Sequence, residues 1–478
     1  MEKVSNVHEE KPNLMVLKAA FILVVGSLAP LLDSTMLNVA IKTIASDMDS
    51  TLSVIQWVIT GYILTMAITV PVSGWAVNRF GGKKMYLFSL IVFLAGSALS
   101  GIAWNIESLI FFRILQGIGA GLMMPTVQTM LVYIAGAKNL GRVMSIISIP
   151  ALLGPIFGPV IGGLLVDSLS WRWIFYVNIP VTIIAILLAM WGLPKDAPSS
   201  KKQSLDIIGI MLLSPAFALL ILGISNIRSS GSIGSSVLIP ILIGSIAMIL
   251  FIIRSLYKKG PSVIDLRLFK SRNFSVSNAL LFLSGFILNG GLLLFPLYFQ
   301  QVQGESALYT SLFLIPQGVG ILLTRSWVGQ AIDRDRSRSR IIIIFSLLAI
   351  VLGTLPFAFA GINTNHILLA AALLIRGAGI GGLLIPIMAL AYVELSRDQV
   401  PDASTTTRIL QTIGGAFGTA ILATVINQML LDYVVPGSPA FTIAYNAAFW
   451  WLIGFTALAA ITALLLPQKK IIENKASS

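Results

Sequence analysis

Long apolar runs dominate this sequence and restrict it to membrane architectures. A helix needs about 20 apolar residues to cross a bilayer, and we predict fourteen such spans in the 478 residues. They lie at 17–41, 53–77, 84–104, 107–133, 141–166, 173–193, 205–225, 236–257, 274–301, 306–330, 341–361, 364–392, 404–431 and 442–466. We therefore predict an all-α polytopic membrane protein.

The composition supports this class and excludes several functions. Only 11% of the residues are charged and the mean hydropathy is +0.91, whereas a soluble domain carries about 25% charged residues. The first apolar run has no small-residue cleavage site after it, so we interpret it as a retained span and not a signal peptide. There is no cysteine, and the two histidines are His8 in the polar tail and His366 beside a predicted loop. We expect no metal site.

Nothing in the sequence indicates an enzyme or a nucleotide-driven pump. No combination of nucleophile, base and metal ligands occurs, and the phosphate-binding pattern GxxxxGK[ST] is absent. We expect no cofactor and an ion gradient as the energy source.

The net charge of +13 follows the predicted topology. With the N-terminus inside, three of the 32 Lys and Arg residues fall in outward loops and three within spans: Lys42, Arg172 and Arg228, then Arg113, Arg325 and Arg376. The others lie inside or at inner helix ends. This distribution predicts that both termini are cytoplasmic, and it explains the basic balance without a nucleic-acid partner.

Two short patterns recur and divide the chain into halves. "GWAVNR" (74–79) returns as "GQAIDR" (329–334) after 255 residues, and "GIGAGLMMP" (117–125) resembles "GIGGLLIP" (379–386). We predict a cytoplasmic tail, an N-terminal six-helix bundle, a linker with two extra membrane helices, a C-terminal six-helix bundle and a second cytoplasmic tail. Their bounds are 1–13, 14–193, 194–273, 274–467 and 468–478. We interpret the extra helix pair as structural and lipid-facing. A transporter of two such halves binds substrate between them near the midplane.

Glycines, prolines and charges mark candidate gating positions. The repeated loop supplies Gly74, Asn78 and Arg79 in the first copy, and Asp333 and Arg334 in the second. In "GPIFGPVIGG" the glycines repeat every four residues, which favours close helix contact, and the prolines bend the helix. Its candidate residues are Gly154, Pro155, Gly158, Pro159 and Gly162.

Together with "LLDSTMLNVAI" and "WRWIFYVNIP" (171–180), these motifs resemble the major facilitator superfamily, and within it the fourteen-span drug:proton antiporters. The resemblance covers nearly the whole chain. It implies a monomeric multidrug efflux antiporter of the cell membrane, driven by protons and working by alternating access. Its partners would be small-molecule drugs, protons and the lipid bilayer. Asn78 departs from the family pattern, which usually has Asp there.

Asp33 is an acid inside the first predicted span, where a charged side chain is unfavourable. An Asp at a helix centre costs about 2.5–3.5 kcal/mol. Arg113 on the fourth span lies at a similar depth by helix rise, and in the resembling fold both spans line a water-filled cavity. We predict that Asp33 and Arg113 form the proton-coupling pair. The alternative is a buried pair that only fixes helix packing, and Asp432 is then the second candidate for the proton.

Isolated polar, aromatic and methionine residues inside spans are candidates for substrate binding, since drug pockets are apolar with a few polar groups. They are Asn38, Trp57, Tyr62, Gln116, Met123, Asn289, Phe295, Gln317 and Arg376. With one deep acid and two deep arginines, lipophilic monocations or zwitterions fit better than multivalent cations. The alternative function is a proton- or ion-coupled transporter of one specific metabolite on the same fold. A membrane sensor or lipid-handling protein is a further class, although no soluble signalling domain is visible.

Overall fold

The computed structural model describes residues 14–50, 52–135, 158, 161–166, 168–194, 206–230, 234–258, 266–305, 307–396, 399–430 and 439–467. All regular secondary structure within these ranges is helical. The predicted tails lie outside them, as do Gly154, Pro155, Pro159 and Asp432.

Grouped by the predicted domain bounds, which stay a prediction, the described helices are as follows. The first half contains α1 (Leu14–Asp47), α2 (Leu52–Phe80), α3 (Gly82–Gly101), α4 (Ile106–Ala135), α5 (Trp173–Tyr176) and α6 (Asn178–Gly192). The inserted pair is α7 (Ile207–Ser230) and α8 (Ser235–Tyr257). The second half contains α9 (Arg272–Gln301), α10 (Ala307–Arg334), α11 (Ser339–Thr354), α12 (His366–Tyr392), α13 (Val400–Leu430) and α14 (Pro439–Leu464).

Twelve segments of the described chain are long and apolar enough to cross a membrane. The apolar part of α7, Ile207–Leu220, is shorter, and most of the predicted span 141–166 lies outside the described residues. The protein is therefore a multi-pass helical membrane protein, and the number fourteen stays a prediction.

Glycines on α4 and α12 fix how the two halves correspond. They are Gly117, Gly119 and Gly121 on α4, and Gly377, Gly379 and Gly381 on α12. A Cβ on the middle glycine of either set would collide with a neighbouring helix, 2.5 Å from the Phe93 nitrogen on α3 or from the Ser346 carbonyl on α11. The outer glycines face α2 in the first half and α10 in the second. Only glycine allows backbones this close.

This correspondence corrects the register suggested by the sequence. Matching "GIGAGLMMP" to "GIGGLLIP" aligns Gly117 with Gly379, but the packing aligns Gly117 with Gly377. These two glycines lie against the backbone carbonyls of Tyr62 and Gln317, each twelve residues before its copy of the loop motif. The 255-residue spacing of the loop motif is the same spacing that separates Tyr62 from Gln317. Gln116 on α4 therefore corresponds to Arg376 on α12.

The inserted helices differ in their surroundings, and the prediction that both are lipid-facing is wrong for α7. This helix packs against α2 and α13 and so contacts both halves. The Ser214 hydroxyl donates to the Ile68 carbonyl at 2.8 Å, and Phe217 packs in a cluster with Val70 and Ile409. By contrast, α8 has many exposed apolar side chains, such as Leu242 and Ile246.

An ion-pair cluster joins the inserted pair at the start of α7. The Asp206 carboxylate accepts from Arg254 at 2.7 and 3.0 Å, lies 3.0 Å from the Lys258 Nζ, and caps α7 by accepting from the Gly209 amide. Burial raises the pKa of Asp206, but the hydrogen bonds from Arg254, Lys258 and Gly209 outweigh it and lower the pKa to about 2.

Replacing Asp206 with Asn should destabilise the inserted pair in a pH-dependent way. Because the folded pKa is depressed, the wild-type carboxylate stabilises the fold above about pH 4, and this contribution is lost as the pH falls toward 2. We expect a loss of about 1–3 kcal/mol at pH 7, measured by thermal unfolding in detergent. The difference between variant and wild type should shrink between pH 4 and 2. A constant difference across this range would contradict the assignment.

Candidate functional site

Asp33 lies at the centre of a fully buried polar cluster in the first half. Its carboxylate forms a 2.5 Å ion pair with the Arg113 guanidinium and accepts from the Gln116 amide at 3.1 Å and the Asn178 amide at 2.9 Å. Arg113 also donates to Gln116 at 2.7 Å. Every member is at most 1% exposed.

The fold accommodates the acid inside the first span by surrounding it with hydrogen-bond donors. We expected a water-filled cavity to reduce the cost, but Asp33 is 0% exposed. Three donors from α4 and α6 replace water instead, and a buried carboxylate that is both paired and hydrogen-bonded avoids most of the desolvation penalty. The predicted contact between Asp33 and Arg113 is present, whereas the predicted water access is absent from this conformation.

Asn178 is a site residue that sequence reasoning missed. It is the first residue of α6 and donates to both Asp33 and the Ser97 hydroxyl, the latter at 3.1 Å. Ser97 in turn donates to the Phe175 carbonyl at 2.9 Å. A lone Asn within "YVNIP" is the signal that could have found it, because a polar side chain among apolar residues needs a buried partner.

Arg113 is held by more than its ion pair. Its Nε donates to the Val58 carbonyl at 3.2 Å, and its guanidinium carbon lies 4.1 Å from the centre of the Tyr62 ring. Tyr62 is 3% exposed. Arg113 therefore connects Asp33 with α2.

In the second half, Arg376 lies at the position that corresponds to Gln116, in a cluster that contains no acid among the described residues. Its guanidinium donates to the side-chain amide oxygen of Gln317 at 2.5 Å and to the Ile287 backbone carbonyl at 3.3 Å, and it lies 4.3 Å from the Phe295 ring centre. Arg376 is 1% exposed, and no carboxylate of the described residues forms an ion pair with it. The predicted residues Gln317, Phe295 and Arg376 thus form one cluster.

A small cavity of about 20 Å³ lies where α2, α4, α7 and α13 meet. It is lined by Met66, Val70, Ala120, Met124, Phe217, Arg408, Ile409, Thr412 and Ile413. Arg408, which the sequence places at an inner helix end, lies about two turns after the start of α13 at Val400 and lines this cavity.

Four predicted substrate residues lie apart from this cavity or cannot be placed. Met123 is fully buried in the core, and its neighbour Met124 lines the cavity instead. Trp57 is 46% exposed. The Asn289 amide donates to the Gly285 carbonyl on its own helix, 3.1 Å away. The side chain of Asn38 lies outside the described residues.

The halves meet at the end of the bundle that carries the α2–α3 turn. Gly74 packs against α13, where a Cβ would lie 2.8 Å from the Thr405 hydroxyl. The hydroxyl oxygens of Ser73 and Thr405 are 3.2 Å apart. On α4, the Gln128 amide donates to the hydroxyl of Tyr392 on α12 at 2.7 Å. These polar contacts join α2 and α4 to α12 and α13.

Other predicted gating residues lie near the helix ends. Arg79 is exposed in the last turn of α2, and Arg334 is exposed in the last turn of α10. Asp333 is half-buried. The Asn78 amide nitrogen is buried without a hydrogen-bond partner among the described residues. No bond from Asn78 therefore supports a first-half latch in this conformation.

The described part of "GPIFGPVIGG" packs tightly against α1. A Cβ on Gly158 would collide with the Thr35 side chain, and one on Gly162 would lie 3.0 Å from the Met36 backbone. This contact lies two to three residues after Asp33 along α1, so the glycine motif packs against the helix that carries the buried acid.

Twelve described membrane-length segments, a buried charge cluster among α1, α4 and α6, and a cavity between α2, α4, α7 and α13 are typical of a membrane transporter. No group of three or more His, Cys, Asp or Glu side chains in the described chain could hold a metal. Residues 23–419 match the family model of the Major Facilitator Superfamily, so the chain belongs to that family.

Curated relatives share most of the chain. It is 35% identical over 463 residues to the "Multidrug resistance protein B homolog" of Mycobacterium tuberculosis, covering 97% of this chain and 85% of the relative. It is 30% identical over 416 residues to "Multidrug export protein EmrB" of Haemophilus influenzae, covering 85% and 81%.

Solved structures share the fold at low identity. The proton:xylose symporter XylE matches with a TM-score of 0.65 at 15% identity, over 94% of this chain and 95% of that one. The human organic anion transporter MFSD10 matches with a TM-score of 0.61 at 16% identity, over 92% and 99%.

Proposed function

We propose that this chain is a proton-coupled multidrug efflux antiporter that exports lipophilic, cationic or zwitterionic compounds by alternating access. The observation that carries the proposal is the buried cluster of Asp33, Arg113, Gln116 and Asn178. Two relatives named for multidrug resistance or export support the drug class, at 35% and 30% identity.

Asp33 supplies the proton site in this proposal. Its three donors stabilise the charged carboxylate, so protonation has to release at least part of the contact with Arg113. Arg113 also lies over Tyr62 on α2, and α2 contacts α13 across the junction of the halves. Proton uptake at Asp33 therefore changes the packing of a helix that closes one end of the bundle.

The proposal includes a topology and a place in the cell. Fourteen spans with both termini in the cytoplasm follow from the apolar runs and the distribution of Lys and Arg. The end that carries the α2–α3 turn is then cytoplasmic, and the described conformation is closed on that side. The protein works in the cell membrane as a monomer, without a cofactor.

The test uses purified protein in liposomes with ethidium or a fluoroquinolone and an imposed pH gradient. Uphill drug movement accompanied by proton counterflow supports the proposal. Drug movement that ignores the pH gradient contradicts proton coupling. If no drug moves and a sugar or an amino acid shows counterflow, the single-metabolite function takes its place.

A further inference from the structure

We propose that the two carboxylate oxygens of Asp33 have separate roles: Oδ2 receives the proton in place of Arg113, while Asn178 fixes Oδ1 and sets the pH range of proton binding. Asn178 is then a positioning residue, because it acts on the proton site without exchanging a proton itself. This assignment rests on the proposed proton-coupled function and specifies how its proton site works.

The two oxygens of Asp33 meet different donors. Oδ1 accepts from two neutral amides, the Gln116 Nε2 at 3.1 Å and the Asn178 Nδ2 at 2.9 Å. Among the described residues, Oδ2 accepts from the Arg113 Nη1 at 2.5 Å. A neutral carboxyl group carries its proton on one oxygen and keeps the other as an acceptor. Because an amide also donates to an uncharged carbonyl oxygen, Oδ1 keeps both donors after protonation, and the new O–H bond forms at Oδ2.

Arg113 can release Oδ2 and keep its other contacts. Its Nη1 also donates to the Gln116 Oε1 at 2.7 Å, and its Nε donates to the Val58 carbonyl at 3.2 Å. Its guanidinium carbon lies 4.1 Å from the centre of the Tyr62 ring. When a proton binds Oδ2, the ion pair breaks, but the guanidinium remains hydrogen-bonded within α2 and α4. Oδ2 is therefore the exchangeable end of the carboxylate.

Ser97 determines which end of the Asn178 amide faces Asp33. A serine hydroxyl has a single proton to donate, and that of Ser97 goes to the Phe175 carbonyl at 2.9 Å. Ser97 must therefore accept from Asn178, whose Nδ2 lies 3.1 Å away. The same nitrogen donates to Asp33, and both Ser97 and Asn178 are at most 1% exposed. The donor to Oδ1 is thus held in place by protein and not by water.

The Asn178 donor favours the charged form of Asp33, because an N–H group binds a carboxylate more strongly than a neutral carbonyl oxygen. Removing it should therefore extend proton binding to higher pH. Among the described residues, the other titratable groups that face the cluster are Arg113 from α4 and Tyr62 from α2. Phe175 of α5, which lies 5.7 Å from the guanidinium, does not titrate, and the described part of the fifth predicted span carries no charge.

The test follows the carbonyl stretch of protonated Asp33 by infrared difference spectroscopy during a pH titration, with reconstituted protein and neither drug nor gradient. The band is assigned by its loss in Asp33→Asn. In Asn178→Leu, which removes the donor at similar volume, we expect the pH midpoint of the band to rise by about one unit, the size of effect that a hydrogen bond to a charged group gives. A donor at a carbonyl oxygen weakens the C=O bond, so the band should also move to higher wavenumber.

Thr182→Val is the matched control on the same helix. Thr182 lies one turn after Asn178, is 0% exposed, and its hydroxyl has no hydrogen-bond partner among the described residues. This variant also replaces a buried polar group on α6 with an apolar one, and it should change neither the midpoint nor the band position. Ser97→Ala is a smaller change that releases the Asn178 amide, and it should raise the midpoint in the same direction by a smaller amount.

Several outcomes would overturn the assignment. They are an unchanged midpoint in Asn178→Leu, an equal shift in Thr182→Val, or the absence of any band that Asp33→Asn removes. A midpoint that rises while the band keeps its position would contradict it by placing the proton on Oδ1. If Asn178→Leu does not fold, an unchanged midpoint in Ser97→Ala overturns it instead.

The infrared titration and the drug assay can fail separately. If the Asp33 band depends on Asn178 but the protein moves no drug against a pH gradient, the proposed function is rejected and the assignment of the two oxygens stands. Proton-driven drug transport with a midpoint that is independent of Asn178 would do the reverse.

Discussion

Asp33→Asn should abolish proton-driven accumulation of drug, so that the concentration ratio across the liposome membrane falls to about one. An amide cannot gain and lose a proton in the working range, and it leaves the Arg113 charge without its partner. Downhill exchange of drug should persist, because the cavity lies apart from the cluster. The measurement is the drug ratio at a fixed pH gradient.

Two further variants distinguish a role of Asp33 in proton coupling from a role in helix packing. Breaking a buried ion pair by removing one charge costs about 3–5 kcal/mol, so Asp33→Asn should also unfold at a lower temperature. The double variant Asp33→Asn with Arg113→Gln removes both charges and should recover much of that stability without recovering coupling. If coupling returns with stability, Asp33 only holds the helices together. Asp49→Asn, at an exposed acid after α1, should behave as wild type.

Joining Ser73 to Thr405 should stop transport in a reversible way. Their hydroxyl oxygens are 3.2 Å apart, on α2 and α13 of different halves, and the natural chain contains no cysteine. In the double variant Ser73→Cys with Thr405→Cys, an oxidised disulfide would hold that end of the bundle closed. We expect drug flux to fall at least about tenfold after oxidation and to return after reduction, because alternating access requires the halves to separate there.

The single variants Ser73→Cys and Thr405→Cys are the controls, since neither can form the bond within one molecule. Both should keep their flux under oxidation. A cross-linked protein that transports at the normal rate would show that this end does not open during transport. Cross-link formation is read from mobility on a gel, so failure to form the bond is distinguished from failure to block flux.

The sequence predicts the helices well because apolar runs and bilayer thickness act locally. The contact between Asp33 and Arg113 follows from segment length and depth, whereas the division into halves is predicted from recurring motifs. The role of α7 does not follow, because an apolar helix that packs on two bundles has the same composition as one that faces lipid. Contacts such as those of Ser214 and Phe217 across the interface distinguish the two cases.

The candidate site is harder to predict because it depends on tertiary packing. Asn178 donates to Asp33 across more than 140 residues of chain. Its lone polar side chain among apolar residues indicates a buried partner, but the local sequence does not identify that partner as Asp33. Arg408 is predicted at an inner helix end because the predicted span begins at residue 404, whereas α13 begins at Val400. Met123 and Met124 are neighbours in sequence, but one fills the core and the other lines the cavity, because a helix turns by about 100° per residue.

The matched glycines of α4 and α12 also bear on the evolutionary origin of the two halves. The same spacing meets the same partner helices in both halves, as expected if one ancestral bundle was duplicated and fused. After duplication, the close-packed positions had little freedom to change, since any side chain there would collide with backbone. Gln116 and Arg376 had that freedom, and the first half now holds the buried ion pair of Asp33 and Arg113, while in the second half Arg376 donates to uncharged oxygens. Inheritance preserved the scaffold, and divergence divided the chemistry between the two copies.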